Sequence, residues 1–171
     1  MKNILFVCLF LVASASQAIA QNPYAETIKE ALHNYQQALL VKDYKTAASL
    51  MHPGVVEKGG GISLYADILE AEAQSYATAN IKLMDFKSLE PQEVVPAGEE
   101  MHCIVPQELT VILGEKYYTG VEHLLAASMD KGDTWYFIDL KTFDAPSLQE
   151  FIPNFNTALV IPANKAMEPI E

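Results

Sequence analysis

MHCIVPQELTVILGEKYYTGVEHLLAASMDKGDTWYFIDLKT, residues 101–142, is the stretch on which the fold turns. It is rich in β-branched and aromatic residues and reads as three long strands, Met101–Leu113, Lys116–Met129 and Thr134–Thr142. Gly114-Glu115 supplies a tight turn between the first two. Neighbouring residues on a strand point to opposite faces, which already excludes one reading of this region. His102 and Cys103 cannot form a nucleophile–base pair, and Cys103 reads as a small buried residue. The same alternation excludes a metal site built on Glu122 and His123.

The second turn has its own pattern. Ser128-Met129-Asp130-Lys131-Gly132-Asp133-Thr134-Trp135 matches every specified position of the Asp-box, S-x-D-x-G-x-T-W. Ser128 and Asp130 can bond turn amides, Gly132 can take positive φ, and Trp135 can cover the turn. Asp-boxes recur in sialidase propellers, which need several copies and an arginine cluster for the sugar carboxylate. This chain has one copy and no arginine, so the motif is read as a structural hairpin.

Upstream, the hydrophobic period changes. From Ala25 to Lys42 the apolar residues Ile28, Ala31, Leu32, Tyr35, Ala38 and Leu39 fall on one face of an amphipathic helix. Asp43 caps a second, short helix through Met51, ended at His52-Pro53. Gly59-Gly60-Gly61 breaks the chain, and Ser63 caps a third helix to about Ala79. Its candidate core contacts are Leu64, Ile68, Leu69, Ala71 and Tyr76. Ile81–Phe86 alternates as a strand, and Pro91–Glu100 reads as a polar loop. Helices followed by an antiparallel meander predict an α+β domain: three N-terminal helices on a strongly curved antiparallel sheet.

Both ends of the chain carry separate signals. Lys2, the apolar run Ile4–Val12 and the small residues of Ala18-Ile19-Ala20 form a cleavable signal peptide, residues 1–20, with cleavage near Ala20. The run is too short to span a bilayer. Leu5-Phe6-Val7 lacks the small residues that a lipoprotein cysteine at Cys8 would need. Loss of the leader leaves Cys103 as the one thiol, so no internal disulfide can form and stability rests on core packing. The product is expected in the periplasm or outside the cell. At the other end, residues 144–162 mix prolines with apolar positions and read as a flap packed on the domain, and residues 163–171 as a disordered tail.

The charge balance is 11 lysines against 22 acidic residues, for a net charge of −11. That field repels phosphate backbones and anionic lipid, and the arginine fork that grips phosphate or carboxylate is missing. Nucleic acid is excluded as a partner, no membrane insertion is expected once the leader is gone, and a small neutral or cationic ligand fits. The histidines at 33, 52, 102 and 123 lack metal-ligand spacing, and Gly59-Gly60-Gly61 follows no strand and lacks the lysine and hydroxyl of a phosphate loop. No metal or cofactor is implied.

Tyr35-x-x-Ala38-Leu39-x-x-x-Asp43, Leu50-Met51-His52-Pro53, the triple glycine and Trp135-Tyr136-Phe137-Ile138-Asp139 follow one another in an order that resembles the nuclear-transport-factor-2-like superfamily, which includes ketosteroid isomerases and polyketide-cyclase-like proteins. The resemblance, to exported bacterial members, covers nearly all of residues 21–143. It implies a cone-shaped barrel with a pocket at its wide end and homodimerisation through the sheet's outer face. Tyr35 falls where the isomerases place a donor tyrosine. The base would fall near Lys58–Gly60, where Glu57 is the nearest carboxylate, a departure from the isomerase pattern. No catalytic residue is assigned. The pocket candidates are Tyr35, Glu57, Asp67 and His123. A non-catalytic small-molecule or peptide-binding module is the favoured reading, beside an isomerase- or cyclase-like enzyme using a carboxylate and tyrosine, or a dimeric interaction protein.

Overall fold

Strand β3 (Glu100–Leu113) and strand β4 (Lys116–Ser128) pair antiparallel over their whole length, from Met101↔Ser128 to Leu113↔Lys116, around Gly114 at φ 65°. The chain is seen in a computed structural model that describes residues 22–141, 143 and 145–170; the leader and its cleavage site lie outside them. Four helices precede the ribbon: α1 (Ala25–Leu40), α2 (Tyr44–Ser49), α3 (Pro53–Lys58) and α4 (Ile62–Thr78). Strands β1 (Ile81–Ser88) and β2 (Val95–Ala97) both pair with β3, and β5 (Tyr136–Asp139) with β4. Helix α5 (Ala145–Phe151) and strand β6 (Lys165–Pro169), which also pairs with β4, complete the chain.

The protein is α+β, with five helices among the described residues and an antiparallel sheet of order β1-β3-β4-β5. Two parts of the expected architecture are corrected. The helices are not all N-terminal, because α5 follows the sheet. The sheet does not close into a barrel: β1 and β5 remain its two ends. The exposed backbone of β5 is instead met by the α2–α3 linker, where His52 N donates to Phe137 O at 2.9 Å and Phe137 N to Leu50 O at 3.0 Å. An edge covered in this way needs no closure to be protected.

The ribbon is apolar on both faces. Cys103, Val105, Leu124, Ala126 and Phe137 point to the helices and bury Ile28, Leu32, Tyr35 and Ala38 of α1. Ile104, Leu125, Ile138 and Leu140 point the other way, against Leu148, Ile152, Phe155 and Leu159 of the segment after β5. The face through which the resemblance implies dimerisation is thus occupied by the chain's own flap. The end of the chain behaves differently from a disordered tail. β6 crosses β4 at Gly120, where a Cβ would stand 2.9 Å from Met167 Sδ, so the missing side chain is what lets the two backbones approach.

Local chemistry explains the remaining boundaries. Helix α1 stops at Lys42, which takes φ 61°, and Asp43 then caps α2 by accepting from Thr46 N at 3.1 Å. Pro53 opens a helix rather than only ending one: it occupies the first turn of α3, and His52 caps that helix by accepting from Gly54 N at 3.1 Å through Nδ1. Gly61, at φ 93°, takes the N-cap of α4 in place of Ser63. The polar stretch before β3 contains β2, so it is not wholly a loop.

Helix α4 departs most from its sequence reading. It leans on α2 and on β1 rather than over the sheet centre, and none of its residues is buried. Tyr65 and Leu69 pack against the core, while Leu64, Ile68 and Tyr76, read as core contacts, are exposed.

The Asp-box hairpin joins β4 to β5. Ser128 Oγ donates to Asp130 Oδ1 and accepts from Gly132 N, both at 2.8 Å; Thr134 N donates to Asp130 Oδ1 at 2.8 Å. Trp135 is buried, donates from Nε1 to Gly132 O at 3.1 Å and meets the Tyr24 ring edge-on at 5.8 Å. Gly132 has φ 97° and a Cβ there would collide with the Tyr24 ring. Gly132→Ala is therefore expected to cost about 2–4 kcal/mol, from left-handed strain plus the clash. Gly114→Ala, at φ 65° with open space around it, should cost only about 1 kcal/mol. Urea unfolding of the two variants checks the difference, and equal losses would mean that the Tyr24 contact is not tight.

Candidate functional site

Phe137 and Asp139 alternate on β5 and turn toward the helices, and Lys141 follows in the turn just after the strand, its backbone N donating to Asp139 Oδ1 at 2.7 Å. Phe137 is fully buried and stacks on Tyr35 of α1, ring centroids 5.9 Å apart. Tyr35 is itself buried, and its hydroxyl makes no hydrogen bond among the described residues, although its electrostatic neighbours are Asp139, Tyr65, Glu72 and Lys141. The Tyr35 oxygen is not among the side-chain atoms sealed from solvent without a partner, so water can complete its hydrogen bonding while the ring packs in the core.

Those charged neighbours belong to an ion network centred on Lys141. Lys141 Nζ is 3.1 Å from Glu122 Oε1, 3.6 Å from Asp139 Oδ2 and 3.8 Å from Glu72 Oε1. It also donates to Tyr76 Oη at 3.2 Å, and Tyr76 Oη donates to Glu72 Oε1 at 2.9 Å. Glu122 comes from the helix-facing side of β4, two residues before Leu124, while Glu72 and Tyr76 come from α4. Lys141 thus ties the loosely packed helix to the sheet.

Electrostatics separates the members. Burial raises the Glu122 carboxyl above its ordinary value, only partly offset by Lys141. Burial pulls the Lys141 ammonium down, but Asp139 and Glu122 outweigh it and hold it well above the ordinary lysine range. Lys141 therefore stays charged and is no amine nucleophile at neutral pH. Burial, then Asp139, raises the Tyr35 and Tyr65 hydroxyls, so both remain protonated donors.

The four pocket candidates do not converge. Tyr35 is at the network. Glu57 lines an open cleft of about 740 Å³ between α2, α3 and the start of α4, with Met51, Pro53, Val56, Ile62 and Tyr136. Asp67 is exposed and lines a shallower cleft of about 370 Å³ with Lys42, Lys45 and Glu70. His123 lies on the opposite face of the sheet from Tyr35, its Nδ1 3.0 Å from Asn164 Oδ1 of the C-terminal segment, so it cannot share a pocket with Tyr35. Phe151 and Phe155 also pack on that opposite face, away from Tyr35.

Glu72, Glu122, Asp139 and Lys141 were not visible as a set in the sequence, though part of the signal was there. Strand parity places Glu122 with Leu124, and Asp139 with Phe137, on one face. What parity could not supply was the helix that completes the set. No protein-family model matches the chain, and no curated protein sequence matches it. The site is therefore judged on its geometry.

A second buried polar group lies under the flap. His102 Nε2 is 2.9 Å and His52 Nε2 3.5 Å from Glu100 Oε2, and Phe155 stacks on His102 at 6.0 Å. His52 Nδ1 accepts the Gly54 amide, so the neutral ring carries its proton on Nε2 and cannot offer that atom to a metal. His52 Nε2 and His102 Nδ1 are sealed from solvent without a hydrogen-bond partner. Burial lowers the His52 pKa from its ordinary 6.5, against the opposing pull of Glu100. The unfolded chain takes up this proton near pH 6.5 and the folded chain only at lower pH. Stability should therefore fall as pH drops through 6.5 and level off below the folded pKa. Denaturant titrations at stepped pH should show a shallower fall for His52→Gln; an unchanged slope would remove His52 as its source.

Proposed function

We propose that the chain is an exported member of the nuclear-transport-factor-2-like superfamily that works as a non-catalytic small-molecule binding module, its ligand held between α4 and the helix-facing side of the sheet. The reading of the leader and the order of helices before a meander support the first part. The observation that carries the second is Tyr35: the residue is 5% exposed and its ring is packed on Phe137, while its hydroxyl makes no hydrogen bond among the described residues, is not sealed from solvent, and has Asp139, Tyr65, Glu72 and Lys141 as electrostatic neighbours. A hydroxyl that no protein group occupies and that water can reach is free to exchange that water for a polar group of a ligand. Helix α4 has no fully buried residue and touches the core only through Tyr65 and Leu69, so it is the least firmly held of the long elements.

One observation favours an enzyme as the second reading. A carboxylate whose proton affinity is raised by burial, Glu122, lies 3.1 Å from Lys141 Nζ, and Lys141 is an electrostatic neighbour of the Tyr35 hydroxyl. A proton shuttle next to a carbonyl needs a base and a donor of these types. Its carboxylate would then be Glu122 on a strand, and not Glu57 as the isomerase resemblance implies.

Thermal-shift screening of a neutral-pH metabolite library should yield stabilising compounds. Tyr35→Phe should weaken their binding by about tenfold, close to the worth of one hydrogen bond to a charged or polar group. An absence of shifts across the library, or hits indifferent to Tyr35→Phe, would sink the binding reading at this site. Turnover of a hit, lost in Glu122→Gln, would establish the enzyme instead.

A further inference from the structure

The flap rests on the buried histidine pair. Glu100, His102 and Ile104 share one face of β3, the face that residues 146–161 cover. Phe155 of the flap stacks on His102, which is fully buried, and His52 is 5% exposed. A second seat passes through α3. A Cβ on Gly54 would stand 3.3 Å from the His52 ring and 3.4 Å from Phe151 O, so the imidazole and the flap backbone lie against the same glycine. At the far end of α3, Lys58 donates to Glu150 O and lies over the Phe151 ring. Asn156 Nδ2 adds a third tie, to Pro96 O at 2.7 Å.

Both rings are held as neutral ones. His52 already bears its proton on Nε2, because Nδ1 accepts the Gly54 amide. A second proton can go only to Nδ1, where it sets N–H against N–H and removes the cap of α3, the helix that grips Phe151. Paired with the Glu100 carboxylate, His102 bears its proton on Nε2, and a second would go to Nδ1, which is sealed from solvent without a partner among the described residues. The face of Phe155 offsets only part of that loss. Nearby charges do not change the sign. Glu57, Glu99 and Glu150 are exposed, Lys58 is turned onto the flap, and Asp139 of the adjoining β5 pairs with Lys141. Glu100 and His102 are the groups that act on His52, and the attraction of Glu100 is smaller than the burial opposing it.

We propose that residues 146–161 form an acid-released cover: protonation of the His52–Glu100–His102 cluster, at His52 first, frees the flap from the sheet and bares the apolar face of Ile104, Leu125 and Ile138 while the helix-facing core stays folded. The two covers of the ribbon differ in what seats them. Helix α1 meets it with Ile28, Leu32, Tyr35 and Ala38, none of which titrates near neutrality, whereas the flap is seated on two imidazoles. Opening returns His52 to water, where it takes up its proton near pH 6.5; the closed form does so only at lower pH. Closure is therefore favoured above pH 6.5 and weakens as pH falls below it.

Hydrogen exchange of the full chain, read peptide by peptide between pH 7.5 and 5.5 and corrected for intrinsic rates, separates opening of the flap from unfolding of the whole. Peptides from 146–161 should be protected at least about tenfold less than those of the β3–β4 ribbon at every pH, and should lose a further fivefold to tenfold, roughly, on acidification. The emission of Trp135, buried in the helix-facing core, should stay constant over the same range. His52→Asn keeps a helix cap without a titrating ring and should cut the acid response of the flap to less than about twofold, with His52→Gln as the alternative should the first fold poorly. Equal protection of flap and ribbon, or a Trp135 emission that shifts together with flap exchange, would mean that the flap opens only when the fold does, and would overturn the proposal. Flap protection that ignores pH, or an acid response kept in both His52 variants, would overturn it as well.

Discussion

Covering the β3–β4 ribbon on both faces is the constraint that the remaining elements answer. Cys103, Val105, Leu124 and Ala126 need cover on one side, and Ile104, Leu125 and their β5 neighbour Ile138 need it on the other. Each valine, leucine or isoleucine among them left in water forgoes about 1.5–3 kcal/mol. Helix α1 meets the first demand with Ile28, Leu32 and Tyr35, and the segment after β5 meets the second with Leu148, Ile152 and Phe155. With Cys103 free and no disulfide among the described residues, both covers stay in place through apolar contact and a few polar ties, such as Asn156 Nδ2 to Pro96 O at 2.7 Å. Helix α4 answers neither demand, and it is the element that carries charge to the site.

Much of this was legible in the residues, and the parts that were not share a cause. The ribbon, its Gly114 turn, the α1 stripe and the Asp-box lock depend on contacts close in sequence or on strict period two, so pattern suffices. The Cys103-Ile104-Val105 and Leu124-Leu125-Ala126-Ala127 runs even signal cover on both faces, since a one-sided sheet would alternate. The orientation of α4 was not legible. Its sequence has two apolar stripes, Tyr65–Leu69 and Leu64–Ile68–Ala71, and only packing against α2 and β1 decides which turns inward. The disordered-tail reading missed β6 for a similar reason: Lys165–Pro169 has no buried residue to advertise a strand, and pairing with β4 at Gly120 defines it.

The candidate site shows the same division. Tyr35 was legible from the face it occupies on α1, and the common face of Phe137 and Asp139 is fixed by strand parity. Their meeting with Glu72 and Tyr76 depends on the placement of α4, which no local rule gives. His123 illustrates the converse. It is buried and polar, and so attractive as a pocket residue, yet it sits one step out of phase with Glu122 and Leu124 and thus behind the sheet.

Lysine rather than arginine at position 141 matters to how this network can act. A guanidinium would fork onto one or two carboxylates with several fixed hydrogen bonds and seal the cluster. An ammonium is a point charge on a flexible stem. Here it stands 3.1 to 3.8 Å from three carboxylates and donates its one close neutral hydrogen bond to Tyr76. Such a centre can move aside by rotation of its own side chain, without disturbing Phe137 or Tyr35 beneath it. Burial works against every charge in the cluster, so the network persists only while opposite charges stay close.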